Sequence, residues 1–308
     1  MRQADAILSA DWHLREDQPE AWQEDYQAAQ EDTLEYVANL QQKHECPVLV
    51  AGDVFDRHGA SLRKWVSPGF LRWVMERMPE KVICVPGQHD LPQHNIHLYD
   101  KSCLAALEEA GRVTVLSDDH SMRIGAVDGV LFGFPFGSKL CGNDKDEGGF
   151  PRLIALVHAM TYRRRRPFPG CTAPNGNKLM GMMPGFDLIL SGDNHQSFTV
   201  EKDGRLLVNP GSLMRMTAAQ IEHEPRVYLW YAEDNTVDPV FIPQRPGAIS
   251  REHIEEIEAR DERIEAFVEA LEDDIEIGLS FEQNLKEFMN SNKTSKAVQD
   301  IVWKAVEV

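Results

Sequence analysis

Val48-Leu49-Val50-Ala51-Gly52-Asp53-Val54-Phe55-Asp56-Arg57 is the stretch whose reading decides the fold. Val48 to Ala51 is a short apolar run stopped by Gly52, the pattern of a buried strand. Asp53 follows at once. A carboxylate at the exit of a core strand is held by a rigid element and can face solvent, which suits metal or acid–base chemistry. Taken alone, the pattern reads first as an aspartate that serves as a turn residue or helix N-cap. The choice rests on whether other strand ends carry matching side chains.

They do. Residues 4–10 read as a first core strand ending in Asp11-Trp12-His13. Tyr26 to Lys43 carries Leu34, Val37 and Leu40 at helical spacing. A second helix is expected over 61–78, from Ser61 as N-cap, with an interruption near Pro68-Gly69. Lys81 to Val85 is a strand that ends in Pro86-Gly87-Gln88-His89-Asp90. Residues 102–110 form a short helix closed by Gly111, followed by strand-like pieces at 113–116, 122–127 and 130–134. A polar loop spans 137–150. Leu153 to Val157 leads to His158, and 161–185 reads as an irregular insertion carrying Arg163, Arg164, Arg165 and Arg166. Asp187 to Ser191 leads to Gly192-Asp193-Asn194-His195. Residues 197–201 and 205–208 form a hairpin around Asp203-Gly204, closed by Asn209-Pro210-Gly211-Ser212, and 226–231 pairs with 237–242. The alternation of strands and helices argues α/β, and the late hairpins argue mixed sheets. From Ser250 the character changes to a highly charged helix over 251–272 and shorter helices at 281–290 and 294–306. The expected division is a domain over 1–249 and a helical module over 250–308.

The 308-residue chain is 42% hydrophobic and 27% charged, ordinary for a soluble globular protein. No apolar run reaches the roughly 20 residues of a bilayer span. The N-terminus enters a strand without a signal-peptide core, and the five cysteines (46, 84, 103, 141, 171) include no C-x-x-C pair. Reduced thiols in a cytoplasmic protein, with no membrane partner, are the expectation. The formal charge is −18, of which −10 lies in residues 251–290. That argues against polyanion binding by the whole surface, and it leaves room for a local basic site elsewhere.

Five strand ends thus carry metal-type ligands: Asp11 with His13, Asp53, the cluster Gln88-His89-Asp90, His158, and Asp193 with His195. Asp11 and His13 are two residues apart, as are Asp193 and His195, so in extended chain each pair points the same way. Several carboxylates and imidazoles gathered at one edge of the sheets suit a binuclear metal centre, whose cations offset the repulsion among them.

The order D-x-H, G-D-x-x-D, G-N-H-D, a lone His and G-H-x-H is the signature of calcineurin-like metallophosphoesterases. This chain resembles it through Asp11-Trp12-His13, Gly52-Asp53-Val54-Phe55-Asp56, Gly87-Gln88-His89-Asp90, His158 and Gly192-Asp193-Asn194-His195, over residues 5–212. Within that superfamily it is most similar to the SbcD-type DNA repair exonucleases, including phage relatives, through Gly52-Asp53-Val54-Phe55-Asp56-Arg57, the early Asn209-Pro210-Gly211-Ser212 and the C-terminal helical segment. The resemblance implies a four-layer sandwich of two mixed β-sheets flanked by helices, with a C-terminal module that caps the domain or meets an SbcC-type ATPase. It implies that Asp11, His13 and His195 hold one metal, that Asp53 bridges two, and that Gln88, His158 and Asp193 hold the second. His89 would contact the scissile phosphate or protonate the leaving oxygen, with Asp90 orienting it. The implied reaction is in-line attack on a phosphodiester by a hydroxide bridging the two cations.

Two positions depart from the pattern: Gln88 stands where Asn is usual and Asp193 where His is usual. A harder, charged oxygen ligand favours Mn2+ or Mg2+ over Zn2+. Other residues keep two readings. Asp56 is a helix N-cap or an orienting partner of the site. Ser212 is a site contact or a plain turn residue. Arg163 to Arg166 are a solvated loop or a track for a nucleic-acid backbone. The functions in play are a DNA nuclease in repair, recombination or replication, a phosphoesterase for a phosphoprotein or nucleotide, and a non-catalytic scaffold. The corresponding partners are DNA, an SbcC-type ATPase subunit and a second copy of the chain as a homodimer.

Overall fold

Every residue of β1 (Ala6–Ser9) and β2 (Val48–Val50) is buried, and successive side chains point to opposite faces. Ile7, Val48 and Val50 enter one core, Leu8 and Leu49 another. Burial on both faces is why these strands read as continuous apolar runs. The computed structural model describes residues 2–57, 59, 66–117, 121–124, 129–143, 152–245, 247–250 and 281–306. The chain divides into two units, Met1–Ser250 and Arg251–Val308.

In the first unit, one six-stranded sheet has the order β12 (Thr236–Phe241), β11 (Arg226–Tyr231), β1, β2, β3 (Val82–Cys84), β4 (Val113–Val115). Strands β1 to β4 are parallel, and β11 and β12 are added antiparallel. The other six-stranded sheet has the order β5 (Ser121–Ile124), β6 (Gly129–Phe134), β7 (Arg152–Val157), β8 (Leu188–Ser191), β10 (Arg205–Asn209), β9 (Phe198–Lys202). Here β6, β7, β8 and β10 are parallel. Leu8, Leu49 and Ile83 of the first sheet pack against Leu131, Ile154, Leu156, Leu190 and Val208 of the second. The outer face of the first sheet is covered by α1 (Tyr26–His44), α2 (Pro68–Arg77) and α3 (Cys103–Glu109) through Leu34, Val37, Phe70, Val74, Leu104 and Leu107. The outer face of the second is covered by α4 (Gly176–Met182) through Leu179 and Met180. The result is the four-layer sandwich of two mixed sheets. Because β1, β2 and β3 run parallel, as do β7 and β8, their exits share an edge.

Two local readings need correction. Pro68-Gly69 does not interrupt a helix; it starts one. Ser67 is the N-cap, its Oγ accepting the Phe70 N–H at 3.0 Å, and proline at the first helical position loses only an N–H that has no partner there. The expected N-cap Ser61 lies outside the described residues. The stretch 161–185 is not wholly irregular, because it contains α4, capped by Asn175 accepting from the Lys178 N–H at 3.0 Å. Seven residues are too few for a helical period to show in the sequence. The hairpin β9–β10 turns at Asp203 and Gly204, with φ of 52° and 75°, the two left-handed residues of a type I′ turn. All five cysteines are free thiols.

In the second unit, α5 (Phe281–Ser291) and α6 (Lys296–Val306) are described. Leu285 and Met289, one helical turn apart, are buried, while Ile301 is exposed. The expected helix over 251–272 lies outside the described residues. Among the described residues, no helix is long and apolar enough to cross a membrane.

The two sheets are tied by Asn235. Its Oδ1 accepts the Trp230 indole N–H at 3.0 Å, and its Nδ2 donates to the carbonyls of Asp187 at 3.0 Å and Gly204 at 3.1 Å. Its φ of 53° is left-handed, a region asparagine tolerates better than most residues. Asn235→Ala strips three hydrogen-bond partners and lowers unfolding stability by about 3 kcal/mol. The check is the shift of the urea midpoint at unchanged slope.

Candidate metal centre

The chain leaves the parallel strands through backbone that side chains rarely adopt. Asp11 and His13 after β1, Asp53 after β2 and Asp193 after β8 have φ of 49°, 47°, 52° and 72°. The exits of β1 and β2 stay paired, with Asp11 N–H donating to Gly52 O at 3.1 Å and His13 N–H to Asp53 O at 2.9 Å. Asp11 and His13 therefore do not converge as an extended i, i+2 pair; two left-handed residues curl the chain and turn both inward. Asp90, fully buried, pins the next exit to this one. Its Oδ1 accepts the Phe55 N–H at 2.9 Å, and its Oδ2 accepts those of Gly87 at 2.9 Å and Val54 at 3.2 Å. Both oxygens are thus taken by backbone, and Asp90 does not orient the His89 ring. That ring is held by the Asp56 carbonyl, 3.0 Å from Nδ1.

Asp11, His13, Asp53, His89, His158 and His195 come together. Three sets place their ligand atoms within 4.8 Å of one another: Asp11, His13 and His195; His13, Asp53 and His89; and Asp11, Asp53 and His158. Asp53 Oδ1 accepts the His89 N–H at 2.8 Å. Its Oδ2 faces His158 Nε2 at 3.4 Å and His13 Nε2 at 3.7 Å. His13 Nε2 and His195 Nε2 are 3.1 Å apart. His158 Nδ1 donates to the Ala51 carbonyl at 2.6 Å, which turns Nε2 inward, 2.6 Å from Gln88 Oε1. Asp193 joins none of the three sets. Its Oδ1 accepts from Gln88 Nε2 at 2.7 Å, and its N–H donates to Asp11 Oδ1 at 3.0 Å. The longer Gln88 side chain thus reaches His158 and takes Asp193 as its anchor. Asp56 caps no described helix; its carboxylate lies 3.6 Å from His13 Nδ1 and 3.4 Å from the Arg15 guanidinium.

Three buried atoms here, Asp11 Oδ2, Asp53 Oδ2 and His13 Nδ1, have no hydrogen-bond partner. Bare buried carboxylate oxygens are costly, and divalent cations supply the missing partner. The donor set fits metal. The titration pattern agrees. Burial pushes Asp11 up to about 7, and Asp53 adds to the shift. Burial opposes charge on His158, but Asp53 beside it, with Asp11 and Asp193, raises it to about 10. Burial, then His13, lowers His195 to about 3 and keeps its lone pair free. Burial would raise Asp53, but the neighbouring His158 and His13 hold it below the usual carboxylate range.

Arg163 to Arg166 are all exposed. Met160 and Pro167, on either side of them, line a cavity of about 580 Å³ together with Asp193, Asn194 and His195. The same cavity holds Gln220 and His223, which the sequence reading did not single out. Gln220 Nε2 donates to Ser212 Oγ at 2.8 Å and lies 3.4 Å from His195 Nδ1. His223 Nε2 lies 2.8 Å from the Ser212 carbonyl. Thr217-Ala-Ala-Gln220 is a capping box, the one sequence signal that marks this turn.

The fold and this cluster define a class of protein that gathers metal ligands at the exits of parallel strands. The family model for calcineurin-like phosphoesterases matches residues 7–197, and the chain belongs to that family. Similar solved structures include an archaeal phosphodiesterase (12% identity, TM-score 0.38, covering 77% of this chain and 98% of that one). Others are a 5'-nucleotidase precursor from Thermus thermophilus (13%, 0.43, 85% and 59%) and the nuclease MPE of Pseudomonas putida (17%, 0.31, 77% and 88%). No curated protein matches the chain.

Two outcomes follow from the geometry. A Cβ on Gly87 would overlap the Asp53 carboxylate and its backbone nitrogen. Gly87→Ala therefore displaces Asp53 and weakens Mn2+ binding by roughly tenfold or more, read as loss of the Mn2+-dependent rise in melting temperature. Cation binding also needs Asp11 ionised and His158 neutral. Each Mn2+ bound then releases protons, and affinity rises as pH is raised through about 7 and on toward about 10. Calorimetry in two buffers of different ionisation enthalpy measures this; a binding heat independent of buffer would count against it.

Proposed function

We propose that the chain is a metal-dependent phosphodiesterase whose substrate is a nucleic-acid strand, with DNA as the expected polymer. The observation that carries this reading is the run Arg163 to Arg166. All four are exposed, and they make no hydrogen bond or ion pair among the described residues. Leaving four guanidinium groups unneutralised in a chain of net charge −18 is explained by an external anion. A single phosphate is satisfied by one bidentate arginine; a row of four suits the repeating charge of a phosphate backbone. The residues flanking the run line the cavity that opens on His195 and Asp193.

In this reading Asp11, His13, Asp53, His158, His195 and the Gln88 carbonyl hold two divalent cations, while Asp193 fixes the Gln88 amide. Carboxylate and amide oxygens favour Mn2+ or Mg2+ over Zn2+. When bound, such cations neutralise charge on a phosphodiester and acidify water. His89, held through Nδ1 by the Asp56 carbonyl, offers its Nε2 to protonate the leaving oxygen.

The experiment compares Mn2+-dependent hydrolysis of labelled DNA with that of bis-p-nitrophenyl phosphate. His89→Ala lowers kcat on DNA by about 100-fold or more. Replacing all four arginines by alanine shifts the ratio of the two activities against DNA by tenfold or more and lowers the log–log salt slope by up to about 3. Turnover of phosphomonoesters with no cleavage of DNA would overturn the reading.

A further inference from the structure

The arginines sit on a loop with a fixed neck and a free tip. At the neck, Thr161 Oγ1 donates to the Pro174 carbonyl at 2.9 Å and the Gly176 N–H to the Tyr162 carbonyl at 2.8 Å. Tyr162 and Asn175 form an isolated parallel bridge. The neck is also tied to the metal centre. Asn194, buried between Asp193 and His195, donates from Nδ2 to the Thr161 carbonyl at 2.7 Å, and its Oδ1 accepts the Gln196 N–H at 3.0 Å. The loop therefore keeps a set position relative to the metal ligands.

The tip carries an apolar group beside the charges. Phe168 is 53% exposed and has no ring contact among the described residues. Pro167 and Pro169 flank it and restrict the backbone, and the Cys171 N–H donates to its carbonyl at 3.3 Å. An exposed ring on a stiffened turn, next to unpaired guanidinium groups, is the combination with which proteins hold unpaired nucleotides: cations follow the phosphates and an aromatic face stacks on a base. Inside a duplex both faces of each base pair are already stacked, leaving only the two ends open, so a single strand offers Phe168 partners along its whole length and a duplex does not.

We infer that the loop of Arg163 to Arg166 and Phe168 is a single-strand binding arm that feeds unpaired nucleotides to the metal centre. The inference rests on the nucleic-acid reading above and narrows its substrate class. The arginines supply affinity for any phosphate backbone; Phe168 supplies the preference for unpaired bases.

The test uses the full chain carrying His89→Ala, so that the probe is not consumed, and fluorescence anisotropy of a short labelled oligodeoxynucleotide. The probe is presented single-stranded, as a blunt duplex, and single-stranded with abasic residues. Adding Phe168→Ala is expected to weaken single-strand binding about tenfold without lowering the melting temperature, and to leave the duplex and abasic affinities unchanged. Phe168→Trp restores the single-strand affinity. Equal loss on all three probes, or no loss on any, overturns the stacking role while leaving DNA cleavage to decide the substrate. Absence of DNA binding by every form, together with absence of DNA cleavage by the wild type, removes the nucleic-acid reading itself.

Discussion

The structure depends on a carboxylate that has no business being ionised where it sits. Asp53 is fully buried at the exit of β2, one oxygen on the His89 backbone N–H and the other facing His13 and His158 without a hydrogen bond. Burial alone would protonate it. The two imidazoles keep it charged, and Asp11 shares their field. Such a cluster is stable only if its members are held at fixed separations, because a shift in one changes the protonation of the others. The strand exits provide that rigidity. Four ligand-bearing or neighbouring residues, Asp11, His13, Asp53 and Asp193, are held with positive φ, a conformation that costs about 1–3 kcal/mol each and persists only where surroundings over-determine it.

Asp90 and the glycines do the over-determining. Asp90 spends its whole carboxylate on three backbone N–H groups drawn from two loops, so the exits of β2 and β3 move as one body. Gly87 gives Asp53 the room it occupies, and Gly52 and Gly192 do the same for the His158 ring; a Cβ at any of the three would strike those side chains or the Ala51 carbonyl. His158, from the second sheet, reaches across to the Ala51 carbonyl of the first. The cluster of candidate ligands is thus also a joint between the sheets, and its geometry is set by backbone more than by side-chain choice.

That division explains what was legible in the sequence. Apolar runs ending in Asp11, Asp53, His89 and His158 were visible because strands buried on both faces are almost wholly apolar; the α/β class followed from their alternation with helices, and the two-sheet sandwich from the family resemblance. Three features were not visible. The left-handed curl at Asp11 and His13 depends on pairing between two strand exits far apart in sequence. The role of Asp90 is written in backbone hydrogen bonds that carry no residue signature. Gln88 and Asp193 read as two altered ligands, whereas the structure couples them: the amide of one occupies the carboxylate of the other, so neither departure has a meaning taken singly. Pro68-Gly69 shows the converse error, since proline and glycine mark a helix start as readily as a break.

The acidic character of the chain and a polyanionic substrate are compatible for a reason of range. Charges in solvent are screened beyond about 8–10 Å at ordinary ionic strength, so the net charge of −18 does not by itself set the field at one site. A phosphate near the cavity therefore responds to what lines it. Without cations that lining sets Asp193, Glu222 and Glu224 against Arg226 alone, and the balance opposes a phosphate. Cations reverse the field at the ligands, but they act at a point and cannot align a strand. In the proposed nucleic-acid reading Arg163 to Arg166 would act over a length, on a loop whose neck is bonded to Asn194 between two residues of the site. Point charge and line charge would then be set in register by that one amide, and the reading orders the events as metal first, strand second.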